Sequence, residues 1–353
     1  MKKLNFIQIT ALYVGIIMGA GFASGRECWQ YFGVFGQDGF NGIYAVVIFF
    51  IIISCMLAYI AISKGTNDLG ELISPVNNPT INNIIGIVMA AIYYSMIIAM
   101  SAAGGSLLNQ QFGMHKAVGG IIIVILVIIT VLGDFERVSK VFSLLVPVLF
   151  VFGILVISLA IKSNFGQSGP TTGYDPGDMT PTWPIAAIVF CSYNCMGMVT
   201  MVGSSALNAK NSKHAFAGAV LGSIMLGILT LLLLKAMLTD MAFSASLDLP
   251  MLGFAARISK PLNIIYAIVL YGAVYSTAAS TYYGFSTKLP NNKWKKPIIY
   301  IGAIVGFVIG LSGFKVIVEY LYSAQGYIGM LFIVLIIINF FKEFIGNRKA
   351  SKQ

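Results

Sequence analysis

Residues 15–27 read GIIMGAGFASGRE, an apolar run that carries Gly19, Gly21 and Gly25 and ends on Arg26 and Glu27. The chemistry such a stretch offers is that of the backbone. Glycine permits φ values closed to other residues and lets a ligand approach the main chain. A helix interrupted at membrane depth leaves N–H groups at one half-helix end for an anion such as a carboxylate, and carbonyls at the other for a cation. A second interruption is expected at FCSYNCMGM, residues 190–198, where small and polar residues break the aliphatic pattern. A third group is YGAVYSTAASTYYGFS, residues 271–286, with Ser276, Thr277, Ser280 and Thr281 on consecutive turns. One hydroxyl in a membrane helix commonly bonds the carbonyl four residues back. Four of them form a polar face, and hard oxygen ligands suit Na⁺.

The elements that must hold these groups follow from composition. Of 353 residues, 58% are hydrophobic and 10% charged, and the mean hydropathy is +0.87. A soluble domain would need more charge to cover its surface. The chain is therefore expected to be an all-α polytopic membrane protein with the lipid bilayer as partner. The net charge of +10 is spread in short runs between apolar segments, so no nucleic-acid partner is expected. A spanning helix takes about 20 apolar residues. Such runs number ten, near 5–31, 40–63, 83–108, 117–133, 138–162, 183–206, 213–239, 261–287, 297–313 and 317–342. With the N-terminus inside, fifteen Lys and Arg fall in cytoplasmic segments and five in external ones. That places both termini in the cytoplasm of a plasma-membrane protein. The basic N-terminus followed by an apolar stretch has the look of a signal peptide, but Arg26–Trp29 continues the helical pattern, so it is expected to be retained as the first span.

The ten spans divide five and five, with an interruption in the first span of each half. Residues 1–162 form the first repeat, 163–182 an external linker, 183–342 the second repeat and 343–353 a cytoplasmic tail. An odd number of spans per half turns the halves opposite ways, the pattern of an inverted repeat with discontinuous helices 1 and 6. Loop 240–260 is long enough to carry a short amphipathic helix over the external side. His115 and His214 sit in loops without ligand-like neighbours, and Cys28, Cys55, Cys191 and Cys195 lie in or beside apolar segments, so neither a metal site nor a disulfide framework is expected. No phosphate-binding loop or acid–base cluster points to an enzyme.

On these motifs the chain resembles known families. MGAGF at 18–22 is similar to the helix 1 glycine motif of the amino acid–polyamine–organocation superfamily. The ten-span plan with two breaks resembles the LeuT fold. AVYSTAAS at 273–280 resembles the helix 8 sodium motif of the neurotransmitter:sodium symporters. Over nearly its whole length the chain looks like the bacterial amino-acid permeases of the YkvI type. The resemblance implies one Na⁺ per cycle, held by the carbonyls of Ile17, Ala20 and Ala273 and the hydroxyls of Ser276 and Thr277, with no organic cofactor. It implies an amino acid whose carboxylate meets the N–H groups near Gly19, Ala20 and Gly21. Its amine would meet carbonyls between Phe190 and Tyr193, with Ser192 and Asn194 beside them. Tyr93 or Tyr94 could donate to the carboxylate; packing is the other reading of both. No acidic residue falls at mid-depth of a predicted span, which favours a neutral solute. Arg26, Glu27 and Glu319 are expected at an external gate, with snorkelling as the other reading of the arginine.

The function expected is Na⁺-coupled symport of a small neutral amino acid by alternating access, without an obligate protein partner. Proton-coupled or exchange transport of a related solute is the alternative within the class. A non-transporting amino-acid receptor subunit is the alternative outside it.

Overall fold

The computed structural model describes residues 3–350 except Met18, Asn77 and Asp134. Met18 of the glycine motif therefore lies outside the described residues. The chain is helical throughout: α1 (Phe6–Ile17), α2 (Ala20–Ser24), α3 (Arg26–Tyr31), a 3-10 turn at Gly33–Phe35, α4 (Asp38–Lys64), α5 (Leu69–Ile73), α6 (Pro79–Phe112), α7 (Lys116–Leu132) and α8 (Phe135–Ser163). Then come α9 (Trp183–Leu207), α10 (Ser212–Met237), α11 (Met241–Ser246), α12 (Pro250–Ile258), α13 (Lys260–Lys288), α14 (Lys295–Gly310), α15 (Phe314–Val316), a π-helical turn at Ile317–Tyr322 and α16 (Ser323–Ala350).

The expectation of ten spans in a LeuT-like 5+5 inverted repeat is overturned. Among the described residues five helical runs are long and apolar enough to cross a membrane: Asp38–Lys64, Pro79–Phe112, Ser212–Met237, Lys260–Lys288 and Phe314–Arg348. A sixth is reached if Trp183–Val199 and Met201–Leu207, bent by 46°, count as one. Three of the other apolar runs, α1, α7 and α14, fall short for a reason of length. At 1.5 Å per residue, the 17 residues of α7 and the 16 of α14 reach about 24–26 Å against a core of about 30 Å. α1 stops after 12 residues at the glycine break. The second break also differs from expectation: residues 190–198 are regular helix inside α9, and the bend lies beyond them, between 199 and 201.

The helices form two groups. α1, α4, α9 and α10 pack on one another, and so do α6, α7, α13 and α14; α16 lies on α9 and α4. Small residues set how close they come, as membrane interfaces favour. Where α6 meets α7, a Cβ on Gly119 would overlap the Gly104 carbonyl and one on Gly105 the Lys116 carbonyl. At the start of the chain, the Leu4 N–H donates to the Asn208 carbonyl at 2.8 Å and Lys210 N–H to the Leu4 carbonyl at 2.9 Å, tying the entry to α1 onto the loop between α9 and α10.

The 240–260 segment carries short helices, as expected of a loop of its length. It folds into α11 and α12, and α12 is buried from Pro250 to Ala255. Polar side chains pin it there. Asp240 caps α11 and accepts from Arg257 at 2.7 Å and from Ser168 Oγ at 2.7 Å, while the Arg257 guanidinium lies 3.4 Å from the Phe243 ring centre. Asp248 accepts from Lys116 at 2.6 Å and Ser106 at 2.7 Å. The Gln110 amide exchanges two hydrogen bonds with the Leu249 backbone. Burial by itself disfavours ionisation of both aspartates. The Arg257 and Ser168 bonds to Asp240, and the Lys116 and Ser106 bonds to Asp248, outweigh it and hold both carboxyls below their ordinary range.

Two outcomes follow. Gly119→Val should lower the melting temperature of the purified protein, by about 1–3 kcal/mol of stability, while Gly86→Ala, which faces open space in α6, should not lower it. Because the two aspartates titrate lower folded than unfolded, their contribution is present above the unfolded value of about 3.9 and is lost as pH falls through the folded values. A pH series of melting curves should therefore drop steeply below about pH 4, and Asp248→Asn should flatten that drop while costing stability at neutral pH.

Candidate functional site

The interruption near residue 18 is built from three backbone events. The Gly19 N–H turns back to the Ile17 carbonyl at 2.7 Å, Gly19 adopts an extended conformation (φ −75°, ψ −174°), and α2 starts at Ala20. The first N–H groups of α2 thus have no preceding helical carbonyl. Five residues later Gly25, at φ +82°, ends α2 in the left-handed region that glycine tolerates. A Cβ there would also lie 2.9 Å from Met251 Cγ. The turn at Gly25 re-aims the chain into α3, which Arg26 and Glu27 begin. Glu27 folds back over α2, and its Oε1 occupies the place where a side chain on Gly21 would begin. Gly21 is needed to admit this carboxylate.

Glu27 is 7% exposed and receives a short hydrogen bond from the Tyr193 hydroxyl. Both line a cavity of about 320 Å³ between the two helix groups, walled by residues of α1–α3, α6, α9, α13, the π turn and α16. An amino-acid-sized solute fits such a volume, which lies at the lower end of ligand pockets.

Of the residues expected to bind substrate, Gly19, Ala20, Gly21, Tyr93, Tyr193 and Asn194 line this cavity. Three do not. Tyr94 turns toward α14, donating to the Gly302 carbonyl at 3.1 Å. Phe190 is buried edge-on against Tyr31 and Phe32. The Ser192 hydroxyl bonds the Ile188 carbonyl at 2.7 Å. The carbonyls expected to meet an amine are not free either, because α9 runs unbroken through them; the Phe190 carbonyl also accepts the Asn194 amide at 2.9 Å. Of the expected sodium residues, Ile17, Ala20 and Thr277 border the cavity. Thr277 Oγ1 lies 3.8 Å from where a Cβ on Gly19 would be. Ala273 and Ser276 lie outside the lining, joined by a 3.0 Å bond from the serine hydroxyl to the alanine carbonyl.

The expected external gate does not assemble. Buried Arg26 donates to Gln30 Oε1 at 2.9 Å and to the Leu247 carbonyl at 3.4 Å. Asp248 and Glu319 act on it only at longer range. The Glu319 carboxylate lies beside Gly177 of the linker, and Glu27 points inward. Arg26 and Glu27 are the first two residues of α3, and the stagger of about 100° between consecutive helical positions points them apart, while the left-handed turn at Gly25 sets how that helix faces α2.

Several lining residues escaped the sequence reading. Met89, Met96 and Met100 line the cavity from α6 at positions i, i+7 and i+11, one helical face and so visible in principle as a periodic pattern. Tyr322 reaches the cavity from the π turn, where one residue more per turn re-aims the side chains. Nothing local in the sequence marks that turn. Gln325 follows it and donates to Ser95 Oγ at 2.7 Å. The expectation of a neutral solute rested on there being no acid at mid-depth, and Glu27 removes that premise.

No protein-family model matches the chain. Two proteins of Bacillus subtilis (strain 168) are similar along almost their full length. An uncharacterized membrane protein, YkvI, is 23% identical over 341 residues, covering 94% of this chain and 95% of the relative. An uncharacterized protein, YyaD, is 24% identical over 331 residues, covering 93% and 94%. Among solved structures, a point mutant of the Eremococcus coleocola manganese transporter superposes with a TM-score of 0.51 at 13% identity, over 96% of this chain and 85% of that one. Its long apolar helices make this chain a multi-pass membrane protein, distantly similar to both Bacillus proteins along nearly its full length and sharing its fold with the manganese transporter.

Proposed function

We propose that the protein is a secondary active transporter that carries a small amino acid through the cavity at the α1–α2 break, with Na⁺ moving alongside. The observation that carries this reading is the meeting, between two helix groups, of the free N–H groups of α2, the Glu27 carboxylate and the Thr277 hydroxyl around one cavity. The solute is read by its ammonium, which Glu27 and the Tyr193 hydroxyl attract. The ammonium takes the role that the sequence reading assigned to the α9 carbonyls. The solute carboxylate turns toward Gly19 and Thr277, where Ile17, Ala20 and Thr277 offer oxygens for the cation. The two helix groups rock about the cavity to expose it to each side in turn, and the Na⁺ gradient supplies the free energy through unequal affinity in the two states.

A divalent metal is the second reading. It is favoured by the manganese named for the fold neighbour and by the carboxylate and thioethers that share the cavity.

Thermal stability of the purified protein, measured with the twenty amino acids one at a time, simple amines and MnCl₂, each with and without NaCl, decides between them. An amino acid at a hundredfold its Kd should stabilise by about 2.7 kcal/mol, more with Na⁺ than without, and Thr277→Val should abolish the Na⁺ increment. Stabilisation by MnCl₂ alone would replace the amino acid with a metal. Equal stabilisation with and without Na⁺ would remove Na⁺ from the cycle.

A further inference from the structure

The Glu27 carboxylate is buried without a cation. The titratable side chains that face it are Tyr193 from α9, Tyr322 from the π turn, and Tyr31 and Cys28 from its own helix. Each ring of this tyrosine group lies within 6 Å of the next: Tyr31 to Tyr193 at 5.7 Å and Tyr193 to Tyr322 at 5.3 Å. α2 brings Gly21 and Ser24, whose hydroxyl is spent on the Gly21 carbonyl at 2.6 Å. α10 brings the Thr230 carbonyl, which takes the Cys28 thiol, and its Lys235 is exposed. The 3-10 turn brings no charge. Arg26 is engaged with Gln30 and Leu247, and Glu319 of the π turn lies beside Gly177. Among the described residues, only Tyr193 donates a hydrogen bond to the carboxylate.

An ionised carboxylate in such surroundings is costly unless something neutralises it. Two things can: a proton, or a cation arriving through the cavity. Both need the same oxygens, so they exclude each other. We infer that Glu27 is protonated in the solute-free protein and loses that proton to bulk water when a solute ammonium docks against it, so that solute binding and proton release are one event. The exchange balances: the carboxyl O–H bond breaks, the proton leaves to bulk water, and a carboxylate–ammonium pair replaces it; the solute's own carboxylate makes the cavity one unit more negative, which the Na⁺ of the proposed function offsets. Tyr193 donates in both states, which positions Glu27 and leaves Oε1, above Gly21, as the oxygen that trades proton for ammonium. This deepens the proposed function and rests on its reading that a solute ammonium enters the cavity.

Infrared difference spectra of the purified protein test it directly. Solute-free wild type at neutral pH should show the stretch of a protonated buried carboxyl. The band should be missing in Glu27→Gln and moved to higher frequency in Tyr193→Phe, which identifies it even where the glutamine variant does not fold. An equimolar mixture of the twenty amino acids should erase the band, release about one proton per bound solute into weakly buffered solution, and bind up to about tenfold more tightly per pH unit until the carboxyl is ionised. Absence of the band from solute-free wild type overturns the inference. So does a mixture that raises the melting temperature yet leaves the band in place. A mixture that shifts neither marks the failure of the amino-acid reading itself.

Discussion

The placement of one carboxylate organises the centre of this molecule. Glu27 can lie over α2 only because Gly21 has no side chain, and it reaches that place only because Gly25 turns the chain left-handed after five residues of helix. Tyr193 holds it from the opposite helix. Glycine in this stretch therefore serves geometry twice, once for a backbone angle and once for room. A break in a membrane helix is tolerated where protein or a water-filled cavity satisfies the freed backbone groups. Here it also turns an acid from the end of a helix into the wall of a cavity.

Around that centre the polar interactions divide by position. Within the long helices, hydroxyls such as Ser192, Ser223 and Thr230 bond their own helix's carbonyls and stabilise nothing beyond it. At the α11–α12 end, charged pairs join elements far apart in sequence: Asp248 to α7, and Asp240 to both the linker and α12. At the other end, fully buried Asn339 donates to the carbonyls of Glu71 and Leu72 and accepts from Lys64 at 2.9 Å, tying α5 and α4 to α16. Both ends are thus cross-linked by polar groups, and so is the region around the cavity, where Tyr193 donates to Glu27, Gln325 to Ser95 and Tyr266 to the Ala23 carbonyl.

Much of this was legible from residue types. The apolar runs, the glycine break at 19–21 and the Thr277 hydroxyl were visible, because each is a local property of residue type and spacing, while of the four expected hydroxyls only Thr277 and Thr281 line the cavity. What was misread has a common cause. Runs of apolar residues do not reveal helix length, so ten runs became, among the described residues, five or six helices long and apolar enough to span. Residues 190–198 carry small and polar side chains, yet α9 continues through them, because those side chains can bond their own helix: Ser192 to Ile188, Asn194 to Phe190. Tyr93 and Tyr94 are adjacent, so one faces the cavity and the other α14, and periodicity alone did not assign which.

Sequence by itself determined that the chain is a membrane protein and that its first apolar run breaks at Gly19–Gly21. These are matters of composition and of local φ and ψ. Only the tertiary structure decided which way Glu27 and Arg26 face. That choice depends on a single left-handed residue and on Tyr193, 166 positions away, and an interaction between groups so distant in sequence leaves no periodic trace in either segment.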